Sequence, residues 1–121
     1  MTSCKDGEKD HKQCMNILLP VRDALDVING KWKLQIIIAI NNGNKRFKDI
    51  ERQIPGITAR MLSKELKDLE SHQLIKRTVY DTLPVSVEYT PTPHAATLMP
   101  LIEALKEWGT LHRKKILKDK A

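Results

Sequence analysis

The sequence predicts a mainly α-helical domain with one small β-hairpin, ordered as a winged helix-turn-helix. Three observations carry this expectation. Apolar residues recur at helical spacing in five segments, interrupted once by two β-rich runs. A short helix, a Pro-Gly turn and a second helix occupy residues 46–72, and the β-rich runs follow directly. The block that holds this arrangement, residues 44–77, carries +4 of charge, against +6 for the whole chain.

The elements follow in order. Residues 1–16 are polar, with interleaved charges and no apolar period, and are expected to form a loose N-terminal arm. The domain proper is expected over residues 17–112. Its first helix places Leu18, Val21, Leu25 and Ile28 at three- or four-residue steps. Pro20 suits a first helical position, and Asn29-Gly30 supplies the stop. Residues 31–41 are apolar on most sides (Trp32, Leu34, Ile36, Ile37, Ile38, Ala39, Ile40), which predicts the central buried helix. A buried strand is the alternative for the isoleucine run, but its length and the Asn41-Asn42-Gly43 stop favour helix.

A short third helix fits residues 46–53, with Phe47, Ile50 and Ile54 apolar and Pro55-Gly56 ending it. Thr58 can then cap a fourth helix over 59–72, whose apolar stripe is Leu62, Leu66 and Leu69. Residues 74–80 and 85–89 are β-rich around Leu83-Pro84, a hairpin pattern. One long helix is expected over 94–117, carrying Leu98, Leu101, Ile102, Leu105, Trp108, Leu111 and Ile116. Residues 113–121 form a basic tail of charge +4, while residues 78–112 are acidic at −3.

Composition excludes several classes. A chain of 121 residues is one domain's worth and can bury about two-thirds of its unfolded surface, so it needs no metal or disulfide to fold. With 40% apolar and 30% charged residues it is neither disordered nor membrane-embedded. The longest apolar run, residues 36–40, is far below the ~20 residues of a spanning helix. The charged N-terminus has no secretory core, and two cysteines in such a chain point to a reducing cytoplasm rather than a disulfide scaffold. Cys4, His11 and Cys14 match no zinc spacing, so neither metal nor cofactor is expected. The sequence has no Gly-rich phosphate loop and no nucleophile elbow, which argues against an enzyme. Five aromatic residues are too few for the stacking platforms of single-strand or RNA readers, so duplex DNA is the expected partner.

The fourth helix supplies the chemistry. A major groove ~12 Å wide admits one α-helix, gripped from behind and offering donors outward. Leu62, Leu66 and Leu69 form the gripped face; Arg60, Ser63, Lys64 and Lys67 lie opposite. Arg60, Lys64 and Lys67 share one stripe at steps of four and three. Arg60 lies near the helix start, the end that reaches base edges, and can grip guanine O6 and N7 together. Ser63 and Thr58 are further candidates for base contact. Lys64 and Lys67 suit phosphates, as do Lys45, Arg46 and Lys48 at the start of the third helix. Lys76 and Arg77 open the hairpin, and one of them should face DNA. The wing tip, residues 81–86, has no cation, so at most backbone or hydroxyl contacts from Thr82 or Ser86 are expected there. A merely solvated face is the alternative for the basic stripe; the element order and the charge block around it favour DNA.

Several stretches resemble the HxlR-type bacterial winged-helix regulators: PVRDALDVINGKWKL (20–34), RFKDIERQIPGITARMLSKELKDLE (46–70), LIKRTVY (74–80), VEYTPT (87–92) and Leu105-Lys106-Glu107-Trp108-Gly109. Together they cover most of residues 19–111, in the family's order. The resemblance implies a homodimeric, DNA-binding transcription factor, distantly MarR-like, of a kind that often represses or activates in response to reactive small molecules. Pro55-Gly56-Ile57 and Arg60-Met61-Leu62-Ser63 stand where the family pattern has them. Three positions depart. Leu19 stands where many relatives place a cysteine, and Cys14 lies five residues upstream; the wing tip lacks the basic residue often seen there; and Ala95-Ala96 replaces a common Gly-Arg pair.

Leu18, Val21, Leu98, Leu101, Leu105 and Trp108 are expected across a two-fold interface, being more apolar than a chain of this size readily covers. Such pairing spaces two recognition helices ~34 Å apart and implies a pseudo-palindromic operator. Cys14, beside His11, Lys12 and the expected helix start, is a candidate redox or electrophile sensor, because a cation and a helix N-terminus lower a thiol pKa. A small-molecule effector is a further candidate partner. The sequence therefore predicts a sequence-specific, homodimeric regulator of transcription, a cytoplasmic repressor. The alternative is a winged-helix protein-interaction module without a specific operator, against which the basic stripe argues.

Overall fold

A computed structural model describes the backbone of residues 7–120 and the side chains of residues 14–118. It divides the chain into two units, residues 1–31 and 32–121.

The first unit holds one helix, α1 (Gly7–Ile28). It begins far ahead of the expected start near Leu18. Residues 7–16 were expected to form part of an arm, yet they are helical. Glu8, Lys9, Lys12, Gln13 and Met15 are strong helix formers, so propensity carries the helix through a stretch with no apolar period. Pro20 consequently lies inside α1 rather than at its start, where it removes one backbone donor. Ile17, Leu18, Leu19, Val21 and Leu25 are all exposed on α1. Residues 1–6, with Cys4, lie outside the described residues, as do the side chains of His11, Lys12 and Lys120.

The second unit runs α2 (Lys33–Asn41), α3 (Phe47–Gln53), α4 (Ala59–Ser71), β1 (Ile75–Tyr80), β2 (Ser86–Pro91), α5 (Pro93–Ala96) and α6 (Met99–Lys120). The isoleucine run is helical, and Ile36, Ile37, Ala39 and Ile40 are buried, making α2 the central helix. Its core partners are Ile50 of α3, Leu62, Leu66 and Leu69 of α4, and Leu74 before β1. Asn44 closes the turn after α2, donating from Nδ2 to the Ala39 carbonyl at 2.9 Å.

The α3–α4 turn depends on Gly56, at φ +86°, a left-handed conformation that costs side-chain-bearing residues energy. Thr58 caps α4 as expected: its Oγ1 accepts from the Met61 amide at 3.1 Å. Thr58→Ala should lower stability by about 1 kcal/mol in chemical denaturation, the usual worth of such a cap.

The end of α4 is a Schellman motif. The Leu74 amide donates to Leu69 O at 3.0 Å and the Gln73 amide to Glu70 O at 2.9 Å, with Leu74 and Leu69 both buried. Gln73 takes the left-handed position, at φ +61°. Gln73→Gly should therefore raise the denaturation midpoint, by a free energy of about 1 kcal/mol. Thr92 locks the hairpin to this corner, its Oγ1 donating to Gln73 O at 2.6 Å and its amide to Leu74 O at 3.2 Å.

The two strands pair antiparallel, with Arg77 opposite Tyr89 and Tyr80 opposite Ser86. The Tyr89 amide also donates to Lys45 O at 2.7 Å, tying the wing to the approach to α3. The long C-terminal helix is broken where the sequence predicted continuity: α5 stops at Ala96 and α6 restarts at Met99. Pro100 explains the break. Its ring would clash with the Ala96 carbonyl in a continuous helix, whereas proline is tolerated in a first turn.

Candidate nucleic-acid interface

The interface builds on the two faces of α4. Leu62, Leu66 and Leu69 are fully buried, while Arg60, Ser63, Lys64 and Lys67 are all exposed. Burial of the leucines fixes the rotation of the helix, so the basic stripe faces solvent by packing rather than by chance. Among the described residues, Arg60, Lys64, Lys67 and Arg77 take part in no ion pair. Not held in close ion pairs, these cations are available to a polyanion.

The hairpin register separates Lys76 from Arg77, since neighbours in a strand point to opposite faces. Arg77 is the one beside α4. It lines a notch with Ser63, Lys67, Glu70 and Tyr89. Four donor-bearing side chains, Ser63, Lys67, Arg77 and Tyr89, border one concavity with Glu70 as its carboxylate, and the donors suit a phosphodiester oxygen. Lys76 does not join it. Sequence reading missed Tyr89; the VEYTPT stretch contains it, but its value depends on a register that spacing alone does not give.

Lys45, Arg46 and Lys48 are exposed at the start of α3, with Arg46 as its N-cap residue. Arg52 joins them, a residue sequence reading passed over. Lys48 pairs loosely with Glu51 at 3.9 Å and Arg52 with Asp49 at 3.8 Å. Exposed pairs of this length contribute little and yield readily to a phosphate. Thr58 is committed through its oxygen to the Met61 amide, which leaves its hydroxyl hydrogen to donate outward.

Lys33 was also missed. It opens α2, and its side chain is only 7% exposed. Its Nζ lies 2.8 Å from Glu65 Oε2 and 3.5 Å from Asp68 Oδ2, both on α4. Burial pushes the lysine pKa down, but the Glu65 hydrogen bond and the Glu65 and Asp68 charges outweigh it and hold the pKa above the ordinary lysine value. The pin fixes α4 from its inner flank. A signal existed: Lys33 stands three and four residues before Ile36 and Ile37, on the buried side of the helical period.

Cys14 departs from expectation. It lies two turns inside α1, is 6% exposed, and is disulfide-bonded. It is therefore neither a thiol at a helix N-terminus nor the reduced cysteine that the composition suggested. The expected interface residues are unevenly exposed: Leu18, Val21, Leu105 and Trp108 are open to solvent, whereas Leu98 and Leu101 are half-buried. Trp108 stacks on His112 with ring centroids 4.9 Å apart. Between α2 and α6 a cavity of about 470 Å³ is lined by Leu34, Ile38, Met99 and Ile102, together with Glu103 and Lys106. Among the described residues no helix is long and apolar enough to cross a membrane, and no cluster of acidic, His or Cys side chains could hold a metal ion.

Comparison with known proteins agrees with this geometry. Residues 27–116 match the HxlR-like helix-turn-helix family. An uncharacterized HTH-type transcriptional regulator of Methanothermobacter thermautotrophicus is 42% identical over 95 residues, covering 78% of this chain and 72% of that protein. The solved structure of the redox regulator HypR in its reduced form is 40% identical with a TM-score of 0.75, over 82% of this chain and 98% of that one. The reduced form of the transcriptional regulator YodB from B. subtilis is 33% identical with a TM-score of 0.66, over 72% and 85% of the two chains. The Methanothermobacter protein and YodB are named as transcriptional regulators and HypR as a redox regulator, and no catalytic family is indicated.

Proposed function

This chain belongs to the HxlR-like helix-turn-helix family of transcriptional regulators, and we propose that it is a sequence-specific, homodimeric repressor that reads duplex DNA through α4. The observation that carries the reading is the split of α4 into a fully buried leucine face and an exposed basic face whose Arg60, Lys64 and Lys67 make no ion pair among the described residues. Arg60, with Ser63 and Thr58, reads base edges. Lys45, Arg46, Lys48, Lys64, Lys67 and Arg77 hold phosphates, and Lys76 gives a further charge on the outer face of the wing. A gel shift with promoter duplexes over a range of salt tests this. Affinity should fall steeply with salt, and Lys67→Ala should weaken all duplexes alike while flattening the salt slope by about one. Salt-independent binding would contradict it.

Homodimer formation is supported by the open apolar residues of α1 and α6, above all Trp108 at 63% exposure. A second copy would cover Leu18, Val21, Leu105 and Trp108, with Leu98 and Leu101 at the margin. Sedimentation should give twice the chain mass, and Trp108→Asp should return a monomer. Bound as a dimer over a promoter, the protein would exclude polymerase, so in vitro transcription should fall as it is added.

The protein is proposed to work in the cytoplasm and to respond to oxidants through Cys14. The support is the disulfide at Cys14 and the redox character named for HypR. Operator affinity should change when the protein is treated with dithiothreitol, and Cys14→Ser should abolish that change. The α2–α6 cavity is the candidate seat for a small apolar effector.

A further inference from the structure

We propose that Lys33 is a positioning residue for base reading: its ion pair with Glu65 and Asp68 sets the roll of α4 about its own axis, and so the aim of Arg60 and Ser63. The inference rests on the DNA-binding reading above and deepens it, by naming a residue away from the DNA face that decides discrimination between sequences. Among the described residues Lys33 is the one charged residue that is buried. It opens α2, where Ile36, Ile37, Ala39 and Ile40 are buried, so its ammonium is carried by the central helix of the unit. Glu65 stands midway along the 13 residues of α4, and Asp68 lies about one turn further. The contacts, at 2.8 and 3.5 Å, therefore hold α4 near its middle, away from both caps.

Stability alone does not account for this choice of residues. An apolar pair of similar volume often stabilises an interior as well as a buried ion pair does, or better. What the ion pair adds is direction. Burial of Leu62, Leu66 and Leu69 decides which face of α4 turns inward, but apolar attraction is non-directional and leaves the last degrees of roll loosely set. A charge-assisted hydrogen bond is short and oriented. A roll of about 15° carries a side-chain tip about 6 Å from the axis through about 1.5 Å. That is about three times the roughly 0.5 Å range of a good hydrogen bond, enough to break a bidentate grip on guanine O6 and N7. A phosphate contact from the flexible stem of a lysine follows such a roll without loss. The pin should therefore govern operator preference and leave general affinity for duplex almost unchanged.

The charge pattern of α4 agrees. Glu65 directly follows Lys64 and Asp68 directly follows Lys67, so each carboxylate stands about 100° round the helix from a cation. The basic stripe is exposed, while the carboxylates meet Lys33 on α2. One contact thus both orients the helix and neutralises its acidic flank.

The test compares binding of operator and of random duplex by the full-length protein at one salt concentration. The variant Lys33→Met, Glu65→Leu removes one charge of each sign, so net charge is unchanged, and it should recover most of the wild-type stability. It should bind the operator roughly tenfold more weakly than wild type, and random duplex within about twofold of it. Glu65→Gln removes the charge but keeps an oxygen that accepts from the Lys33 ammonium. That variant should keep the ratio of operator to random affinity within about twofold of wild type. Should the double variant unfold, Glu65→Met alone leaves Lys33 paired with Asp68 and should lose the same preference. A double variant with wild-type melting midpoint and wild-type operator preference would overturn the positioning role. Equal losses on both duplexes would overturn it too, since they report charge or folding rather than aim, and so would a loss of preference in Glu65→Gln as large as in the double variant. Each of these results leaves the DNA-binding reading standing so long as the wild type prefers operator to random duplex. Absence of that preference in the wild type would remove both.

Discussion

Replacing Lys33 with methionine should destabilise the protein by about 3–5 kcal/mol in urea or thermal unfolding, a large part of the 5–15 kcal/mol typical of a domain. The cause is the partner left behind. Glu65 is 13% exposed and loses a cation at 2.8 Å, so a nearly buried carboxylate must stay charged without a partner or take up a proton. Asp68, at 3.5 Å and more exposed, rehydrates at lower cost. The double variant Lys33→Met, Glu65→Leu should recover most of the loss, because an apolar pair of similar volume often replaces a buried ion pair without penalty. The pH dependence has a definite sign. The lysine pKa is raised in the folded state, so the pin is fully present below the ordinary lysine value and is lost as pH rises through the folded one. Its contribution should be flat through neutrality and disappear only in strong alkali. A Lys33→Met variant as stable as wild type would show that the pin carries no net energy.

Arg60→Ala should cost about 1–3 kcal/mol of operator binding and relax preference at one base pair in each half-site. Arg60 is the second residue of α4, exposed and without an ion-pair partner among the described residues, so the variant disturbs neither the core nor a surface network. The comparison with Lys67→Ala separates the two roles. A base-reading residue loses affinity on the operator and little on random duplex, whereas a phosphate contact loses on both. Equal losses on both duplexes for Arg60→Ala would make it another phosphate contact.

These two residues mark what the sequence makes legible and what it does not. The outward position of Arg60 was legible because it follows from local spacing: it shares a helix with three leucines whose period fixes the outward face. The same locality made the order of elements, the Thr58 cap and the Pro55-Gly56 turn readable. Lys33 was not legible as a pin because its partners lie more than thirty residues away, and no period links them. The choice between Lys76 and Arg77 likewise waited on strand register. The beginning of α1 was misjudged because helix propensity without an apolar stripe resembles an arm. The break before α6 carried its own signal in Pro100, overridden by the regular leucine spacing on both sides.

The most direct measurement is selection of genomic fragments by the purified protein, followed by titration of the recovered duplex against random duplex at physiological salt. A dimeric reader working through α4 should recover a pseudo-palindrome with half-sites about one helical turn apart, and bind it at least about a thousandfold more tightly than random sequence. Recovery of no common sequence, with equal affinity for both duplexes, would contradict sequence-specific recognition by α4.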